Sequence, residues 1–167
     1  MLSGECAMGK YPVQCVEVMN KISRAIEGNI NYWKRFNNKG FILDKDNLKA
    51  NTAYSACVTA NDIEANGIIA YTHTGNTANI LAGLKPACPV IAITDNKKTY
   101  NKLSVVANTY PVYVEAEENV DKTVEKGILK LEADGIIEKG DKFVVTGGNK
   151  ILPMQKESQV IGGILKI

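Results

Sequence analysis

Four short apolar runs, separated by segments long enough for a helix, constrain this chain more than any other feature. They are GIIAYT at residues 67–72, PVIAIT at 89–94, YPVYVE at 110–115 and KFVVT at 142–146. Apolar strands that alternate with helices of about a dozen residues are typical of a parallel sheet covered on both faces. The closing apolar segment, residues 160–167, follows a polar loop rather than a helix. The sequence therefore predicts an α/β fold of three layers, α/β/α, with a mostly parallel five-stranded sheet and an antiparallel edge strand.

The segments around these runs carry helix patterns. In residues 12–28, apolar side chains recur every three or four positions between an opening proline and a closing glycine. A second helix, from Asp46 or Asn47 to Asn66, is rich in small residues, as a helix packed closely on a sheet would be. Further helices are predicted at residues 76–84, 96–107 and 120–134. Gly127 interrupts the last of these, at a cost of about 1 kcal/mol relative to alanine.

The composition excludes several classes of protein. The 167 residues are 45% hydrophobic, enough for one buried core, but no apolar stretch approaches the ~18 residues of a membrane span. The basic residues are scattered and the net charge is only +2, so the electrostatic argument for nucleic-acid binding is missing. The opening residues, MLSGE, do not resemble a secretory leader. We therefore expect a cytoplasmic protein.

One loop has the residue types of a phosphate site. Residues 72–77, THTGNT, connect the first apolar run to the helix that follows it. In open α/β sheets ligands bind beyond the carboxyl ends of the strands, and the free N–H groups of a helix start favour anions. The three threonines would add hydroxyl donors, and Gly75 allows a positive φ and close approach. The alternative is an N-capped turn whose hydroxyls serve only its own backbone. His73 alone is more typical of a solvent-facing loop residue than of a catalyst.

Other chemistry has little support in the residues. A cysteine hydrolase needs a base and an orienting group beside its nucleophile, which one histidine and four cysteines without CxxC spacing do not indicate. Acidic pairs such as Glu117–Glu118 are typical of solvated helix surfaces, so no metal site is predicted. Gly147–Gly148 resembles half of a phosphate loop but lacks a following Lys-Ser/Thr pair or a third glycine. The residues predict no catalytic group.

Several segments, in order along nearly the whole chain, resemble one family. MLSGECAMGKYP at residues 1–12 is similar to the MLSGETAxGxYP segment of pyruvate kinases, where the last barrel strand leads into the last barrel helix. Further matches to the family's C-terminal domain are ANGII at 65–69, THTGNTA at 72–78, KPACPVIAIT at 85–94, YPV at 110–112 and EKGD at 138–141. By this resemblance residues 1–28 are a remnant of the catalytic barrel, 29–46 a connector and 47–167 a C-terminal α/β regulatory domain.

The resemblance implies an intact enzyme of glycolysis that transfers phosphate from phosphoenolpyruvate to ADP with Mg and K ions, as a tetramer. The barrel's catalytic motifs do not occur in this sequence, so we expect the chain by itself to be inactive. The resemblance also implies an allosteric site for a sugar-phosphate or nucleotide effector, to which Lys85 corresponds only loosely. The residues that would hold the effector's phosphate are Thr72, Thr74, Gly75, Asn76 and Thr77. The closing strand would pair with its own copy in a homodimer.

The sequence departs from the family pattern in two places. Residues 147–158 lack the glycine-rich loop and the Thr-Asn pair of a second effector loop, and no arginine follows Arg35. We therefore expect a monophosphate effector, or none, rather than tight binding of fructose 1,6-bisphosphate. Two alternatives stay open: a freestanding sugar-phosphate or nucleotide binding module descended from the domain, without catalysis, and an unrelated small α/β enzyme.

Overall fold

The computed structural model describes residues 3–38, 46–147 and 163–166. The chain divides into two compact units, Met1–Tyr32 and Trp33–Ile167. Part of the predicted connector, residues 39–45, and the predicted departure from a second effector loop, residues 148–158, lie outside the described residues.

The first unit consists of two helices, α1 (Gly4–Ala7) and α2 (Pro12–Glu27). Pro12 suits the start of α2 because proline lacks an N–H group, and an N–H at the first helical position would have no partner within the helix. Gly28 follows the end of α2. The apolar stripe that predicted α2 remains exposed: Val13, Val16, Ile22 and Ile26 each show more than half of their surface to solvent. α2 therefore has a largely exposed apolar face.

From the end of the first unit onwards the chain alternates helices and strands. The elements are α3 (Tyr32–Asn38), α4 (Leu48–Asp62), β1 (Gly67–Tyr71), α5 (Asn76–Leu84), β2 (Val90–Thr94), α6 (Lys97–Leu103), β3 (Thr109–Tyr113), α7 (Val120–Ala133), β4 (Lys142–Gly147) and β5 (Gly163–Lys166). The strand order is β3-β2-β1-β4-β5. β1 runs parallel to β2 and β4, β2 runs parallel to β3, and β5 pairs with β4 in the antiparallel direction. The predicted α/β class with a parallel sheet is confirmed.

Helices cover both faces of the sheet. Successive residues of a strand point to opposite faces, so Ile68 and Ala70 of β1 pack with α4 and α5, whereas Ile69 and Tyr71 pack with α7. Every residue of β1 and β2 is consequently buried. The side of α4 that meets the sheet consists of small residues, which lets the helix approach closely: Ala53, Ala56, Cys57 and Ala60.

Gly127 has a packing role that the sequence did not indicate. A Cβ added there would lie 2.6 Å from Cδ1 of Ile93 in β2 and 3.0 Å from its Cγ1 and Cγ2. The glycine allows α7 to approach β2 more closely than alanine would. Its unfavourable helix propensity is therefore compensated by tertiary packing.

Phe36, in the middle of the predicted connector, belongs to the core of the second unit. Phe36 of α3 is only 5% exposed, and its ring stacks between Trp33 and Tyr54 at centroid distances of 5.3 and 5.1 Å. This stretch has no clear hydrophobic period because α3 has only seven residues. Phe36 is nevertheless a core residue, and Trp33 packs against the same cluster.

α6 ends at Leu103, four positions before its predicted end. The chain then turns back toward the sheet through Asn108, which has a φ of +56°. The Asn108 side-chain amide donates hydrogen bonds to the carbonyl oxygens of Pro86 and Cys88, at 3.4 and 2.9 Å. Within the described residues, no helix is long and apolar enough to span a bilayer.

Candidate functional site

The loop between β1 and α5 lies at the carboxyl edge of the parallel sheet. Thr72 is buried: its N–H donates to the Ile93 carbonyl oxygen, and its hydroxyl oxygen accepts the N–H of Gly75, each at 2.9 Å. Gly75 is the N-cap of α5 and has a φ of +86°, in the region that favours glycine. These two predicted ligands are therefore interior residues that shape the loop.

The other predicted phosphate ligands surround the start of α5. Thr74 and Asn76 are exposed and Thr77 is half-buried. Among the described residues no side chain caps this start, because the N-cap residue is Gly75. The first N–H groups of a helix lack partners within it and carry a partial positive charge. The arrangement can therefore accept an anion between exposed hydroxyl, amide and backbone N–H donors.

Lys85 does not belong to this group. It is the C-cap residue of α5 and has a φ of +55°, whereas the loop leads into the first turn of the nine-residue helix. The two helix ends are about 13 Å apart at 1.5 Å per residue. Lys85 therefore lies at the opposite end of α5 from the loop, away from the effector ligands to which it loosely corresponds.

His73 and Asp95 form a pair at the same edge that the sequence analysis did not identify. Nδ1 of His73 lies 2.5 Å from Oδ1 of Asp95, which directly follows β2. The Asp95 side chain is 3% exposed and that of His73 is 44% exposed. The sequence could have indicated this pair, because His73 and Asp95 each follow the carboxyl end of a predicted strand. The carboxyl ends of neighbouring parallel strands lie at the same edge of a sheet.

Tyr71, the last residue of β1, extends this pair into the interior. Burial raises the pKa of Tyr71 to about 12, and the negative charge of Asp95 and its hydrogen bond with the phenol act in the same direction. The phenol is therefore neutral near pH 7 and donates a hydrogen bond to the carboxylate. α6 also holds the loop, because the hydroxyl of Thr99 donates to the His73 carbonyl oxygen at 2.8 Å.

Cys57 and Cys88 are poor candidates for nucleophilic chemistry. Burial raises the pKa of the Cys57 thiol to about 12, and the pKa of Cys88 is raised for the same reason. Such thiols are protonated near neutral pH, and the thiolate is the reactive form. No group of three or more His, Cys, Asp or Glu side chains in residues 3–38 and 46–147 could hold a metal ion.

Comparison with known proteins agrees with the resemblance found in the sequence. Residues 50–158 match the family described as "Pyruvate kinase, alpha/beta domain". The pyruvate kinase of Clostridium acetobutylicum is 36% identical over 153 residues, covering 89% of this chain and 31% of the relative. That of Bacillus licheniformis is 31% identical over 148 residues, covering 89% of this chain and 25% of the relative.

The same assignment follows from solved structures. A crystal structure of a pyruvate kinase from Cryptosporidium parvum superimposes with a TM-score of 0.78 at 25% identity, over 87% of this chain and 30% of that one. The chain thus spans about a third or less of the length of these relatives. With the matched domain, the parallel sheet and the similarity to these relatives in agreement, the chain belongs to the pyruvate kinase family and corresponds to its C-terminal α/β domain.

Proposed function

We propose that this chain is the regulatory domain of a pyruvate kinase and that it binds a phosphorylated effector at the start of α5. The intact enzyme would transfer phosphate from phosphoenolpyruvate to ADP, using Mg and K ions and catalytic residues of a separate barrel. The observation that carries the proposal is the exposed, uncapped start of α5 at the carboxyl edge of the sheet, in a chain of this family.

The effector site would use the residues that the sequence singled out. Thr74, Asn76 and Thr77 would donate to phosphate oxygens together with the N–H groups of the first turn of α5, while Thr72 and Gly75 hold the loop. No arginine follows Arg35 in the sequence, so a second phosphate would lack a bidentate partner from that part of the chain. We therefore favour a sugar monophosphate or a nucleotide over a sugar bisphosphate.

The exposed apolar face of α2 supports the proposed relation to a catalytic barrel. A contiguous apolar patch on a helix is typical of a surface that is covered in the complete protein. The barrel of the parent enzyme would cover Val13, Val16 and Ile22, and the chain without it would be catalytically inactive. Assembly into homodimers here and tetramers in the intact enzyme, and a cytoplasmic location, remain predictions.

Thermal unfolding of the purified chain tests effector binding. The ligands are inorganic phosphate, glucose 6-phosphate, ribose 5-phosphate, AMP and fructose 1,6-bisphosphate. A ligand at 100 times its Kd stabilises by roughly 2.7 kcal/mol, which for a chain of this size is a rise in Tm of roughly 5–10 °C. We expect such a rise for a monophosphate, and no shift with any compound would contradict the proposal.

A matched pair of variants locates the site. Gly75→Asp places a side chain and a negative charge at the start of α5, where a Cβ would lie 3.3 Å from Thr99 Cγ2, and should abolish the ligand-induced shift. Gly135→Asp imposes a similar backbone penalty at φ +67°, beyond the end of α7 and with no atom within 4 Å of the new Cβ. It should lower Tm while leaving the shift intact. An unchanged shift in Gly75→Asp would place binding elsewhere.

The alternative, a freestanding binding module without catalysis, predicts the same ligand response. The mass of the native protein in cells separates the two. A product several times heavier, with pyruvate kinase activity, identifies a domain of the enzyme. A product of 18.2 kDa without that activity favours the module.

A further inference from the structure

The contact between α1 and α2 is made by sulfur-bearing side chains. Cys6 of α1 and Cys15 and Met19 of α2 are half-buried, whereas every other described residue from 3 to 28 is exposed. Cys6 and Met19 line the same open groove beside α2. Two free thiols therefore lie where the described part of the first unit is partly shielded from solvent, and both remain partly accessible.

The two thiols interact directly. Burial raises the pKa of the Cys6 thiol, and Cys15 raises it further, through its charge when ionised and through a hydrogen bond between the two side chains. A hydrogen bond that raises the pKa of a thiol favours its protonated form, so the S–H of Cys6 donates to the sulfur of Cys15. The two sulfur atoms are therefore in hydrogen-bonding contact, although the cysteines are nine positions apart in the chain.

A tight turn between the helices creates this contact. α1 ends at Ala7 and α2 begins at Pro12, and the two helices pack against each other. Gly9 lies in the turn and has no room for a side chain, because a Cβ there would collide with the carbonyl oxygen of Glu5. A disulfide needs Cα atoms about 4.4–6.8 Å apart and side chains that point toward each other. Side chains whose thiols share a hydrogen bond already point toward each other.

Cys6 is a departure from the family pattern. The segment MLSGECAMGKYP carries a cysteine where the pattern MLSGETAxGxYP has a threonine. A threonine hydroxyl cannot form a disulfide, so the similarity to pyruvate kinases does not imply a bond at this position. The thiol pair is therefore a feature of this chain's own residues.

We propose that Cys6 and Cys15 form a redox-active dithiol that low-molecular-weight disulfides oxidise to an intramolecular disulfide. One cysteine thiolate attacks a sulfur of the oxidant, forming a mixed disulfide and releasing one thiolate. The other cysteine thiolate then attacks the protein sulfur of that mixed disulfide and releases the second thiolate. Two electrons pass from the two protein thiols to the oxidant, and the two thiol protons end on the two released thiols. The new bond ties α1 to α2.

The other two cysteines of the chain provide an internal comparison. Cys57 is 3% exposed, and burial raises its pKa to about 12 and also raises the pKa of Cys88. The thiolate is the reacting form and the oxidant must also reach it, so these two thiols should remain reduced. The raised pKa of Cys6 slows its reaction as well, but the contact with Cys15 makes the second step intramolecular.

Peptide mapping of the native chain tests the inference. The reduced chain is equilibrated with oxidised and reduced glutathione, quenched with acid, alkylated in urea and digested with trypsin. Trypsin cleaves after Lys10, so a disulfide between Cys6 and Cys15 joins peptide 1–10 to peptide 11–21. Mass spectrometry should show this linked pair as the main oxidised product, with the other two cysteines alkylated. Equilibration in concentrated urea should lower the ratio of disulfide to dithiol by roughly tenfold or more, because the helices no longer hold the thiols together.

Single variants provide the controls. Cys6→Thr restores the residue of the family pattern, and Cys15 should then stop at a mixed disulfide with glutathione. Cys88→Ser leaves the pair in place and should give the same linked peptides as the wild type. A chain that stays reduced at every glutathione ratio, adducts on Cys6 and Cys15 without linked peptides, or an equal ratio in urea and in buffer overturns the inference. No phosphorylated ligand enters the experiment, so these outcomes leave the proposed effector site standing.

Discussion

Replacing Gly127 by alanine should destabilise the chain although it improves helix propensity. Alanine in a helix interior is favoured over glycine by about 1 kcal/mol. At this position, however, the new methyl group would lie 2.6 Å from Ile93 Cδ1, well inside the ~3.5–4.0 Å of ordinary carbon contacts. Ile93 is fully buried and branched at Cβ, so its side chain has little freedom to move away.

The two contributions can be compared directly. Overpacking a well-packed core costs about 1–3 kcal/mol, and three atoms of Ile93 within 3.0 Å of the added carbon place this site toward the upper end. After subtracting the propensity gain, we expect Gly127→Ala to lower the free energy of unfolding by about 1–2 kcal/mol. Gly83→Ala is the matched control, because a Cβ there meets no atom within 4 Å. It should stabilise α5 by about 0.5–1 kcal/mol.

Urea unfolding measures these differences. The proteins compared are the wild type, the single variants Gly127→Ala, Gly83→Ala and Ile93→Val, and the double variant that combines Gly127→Ala with Ile93→Val. Ile93→Val removes Cδ1, the atom in the shortest contact, so the double variant should be more stable than the sum of the two single effects predicts, by at least about 0.5 kcal/mol. Equal stabilisation by Gly127→Ala and Gly83→Ala, or strict additivity with Ile93→Val, would refute the packing argument.

Three further predictions concern other parts of the second unit. Phe36→Ala should lower the free energy of unfolding by about 3 kcal/mol, since it removes a buried ring stacked on two others; urea unfolding with a loss below about 1 kcal/mol would place α3 outside the core. Asn108→Ala should lower the free energy of unfolding by about 1–2 kcal/mol, because alanine disfavours the positive φ and two hydrogen bonds are lost. Asn108→Gly should lower it less, because glycine tolerates the positive φ. Equal decreases in Tm for the two variants would contradict the argument from the backbone conformation. The Cys57 thiol has a pKa near 9.0 when unfolded and about 12 when folded, so its contribution to stability is complete below pH 9 and is lost as pH rises toward 12. Cys57→Ala should therefore lessen the fall in the free energy of unfolding between pH 8 and 11, measured by urea unfolding. An equal fall in the variant and the wild type would contradict this prediction.

Local pattern was sufficient for the fold class and for most elements. β1 and β2 are apolar at every position, and this indicated burial on both faces before any neighbour was known. Pro12 and Gly28 fixed the ends of α2, and Asn47 caps α4 as its residue type indicated. The THTGNT loop was singled out because its residue types and its position after a strand are both local properties.

What the tertiary structure alone decided are contacts between residues far apart in the chain. His73 meets Asp95, Gly127 meets Ile93, and Phe36 reaches the core through its stacking on Tyr54. Sequence periodicity reports which face of an element is buried, but not which side chain of a neighbouring element lies opposite. Those partners depend on strand order, register and the close approach of helix to sheet. The sequence by itself therefore determined the layers and the candidate loop, and only the folded chain decided which side chains hold that loop and which glycine the packing requires.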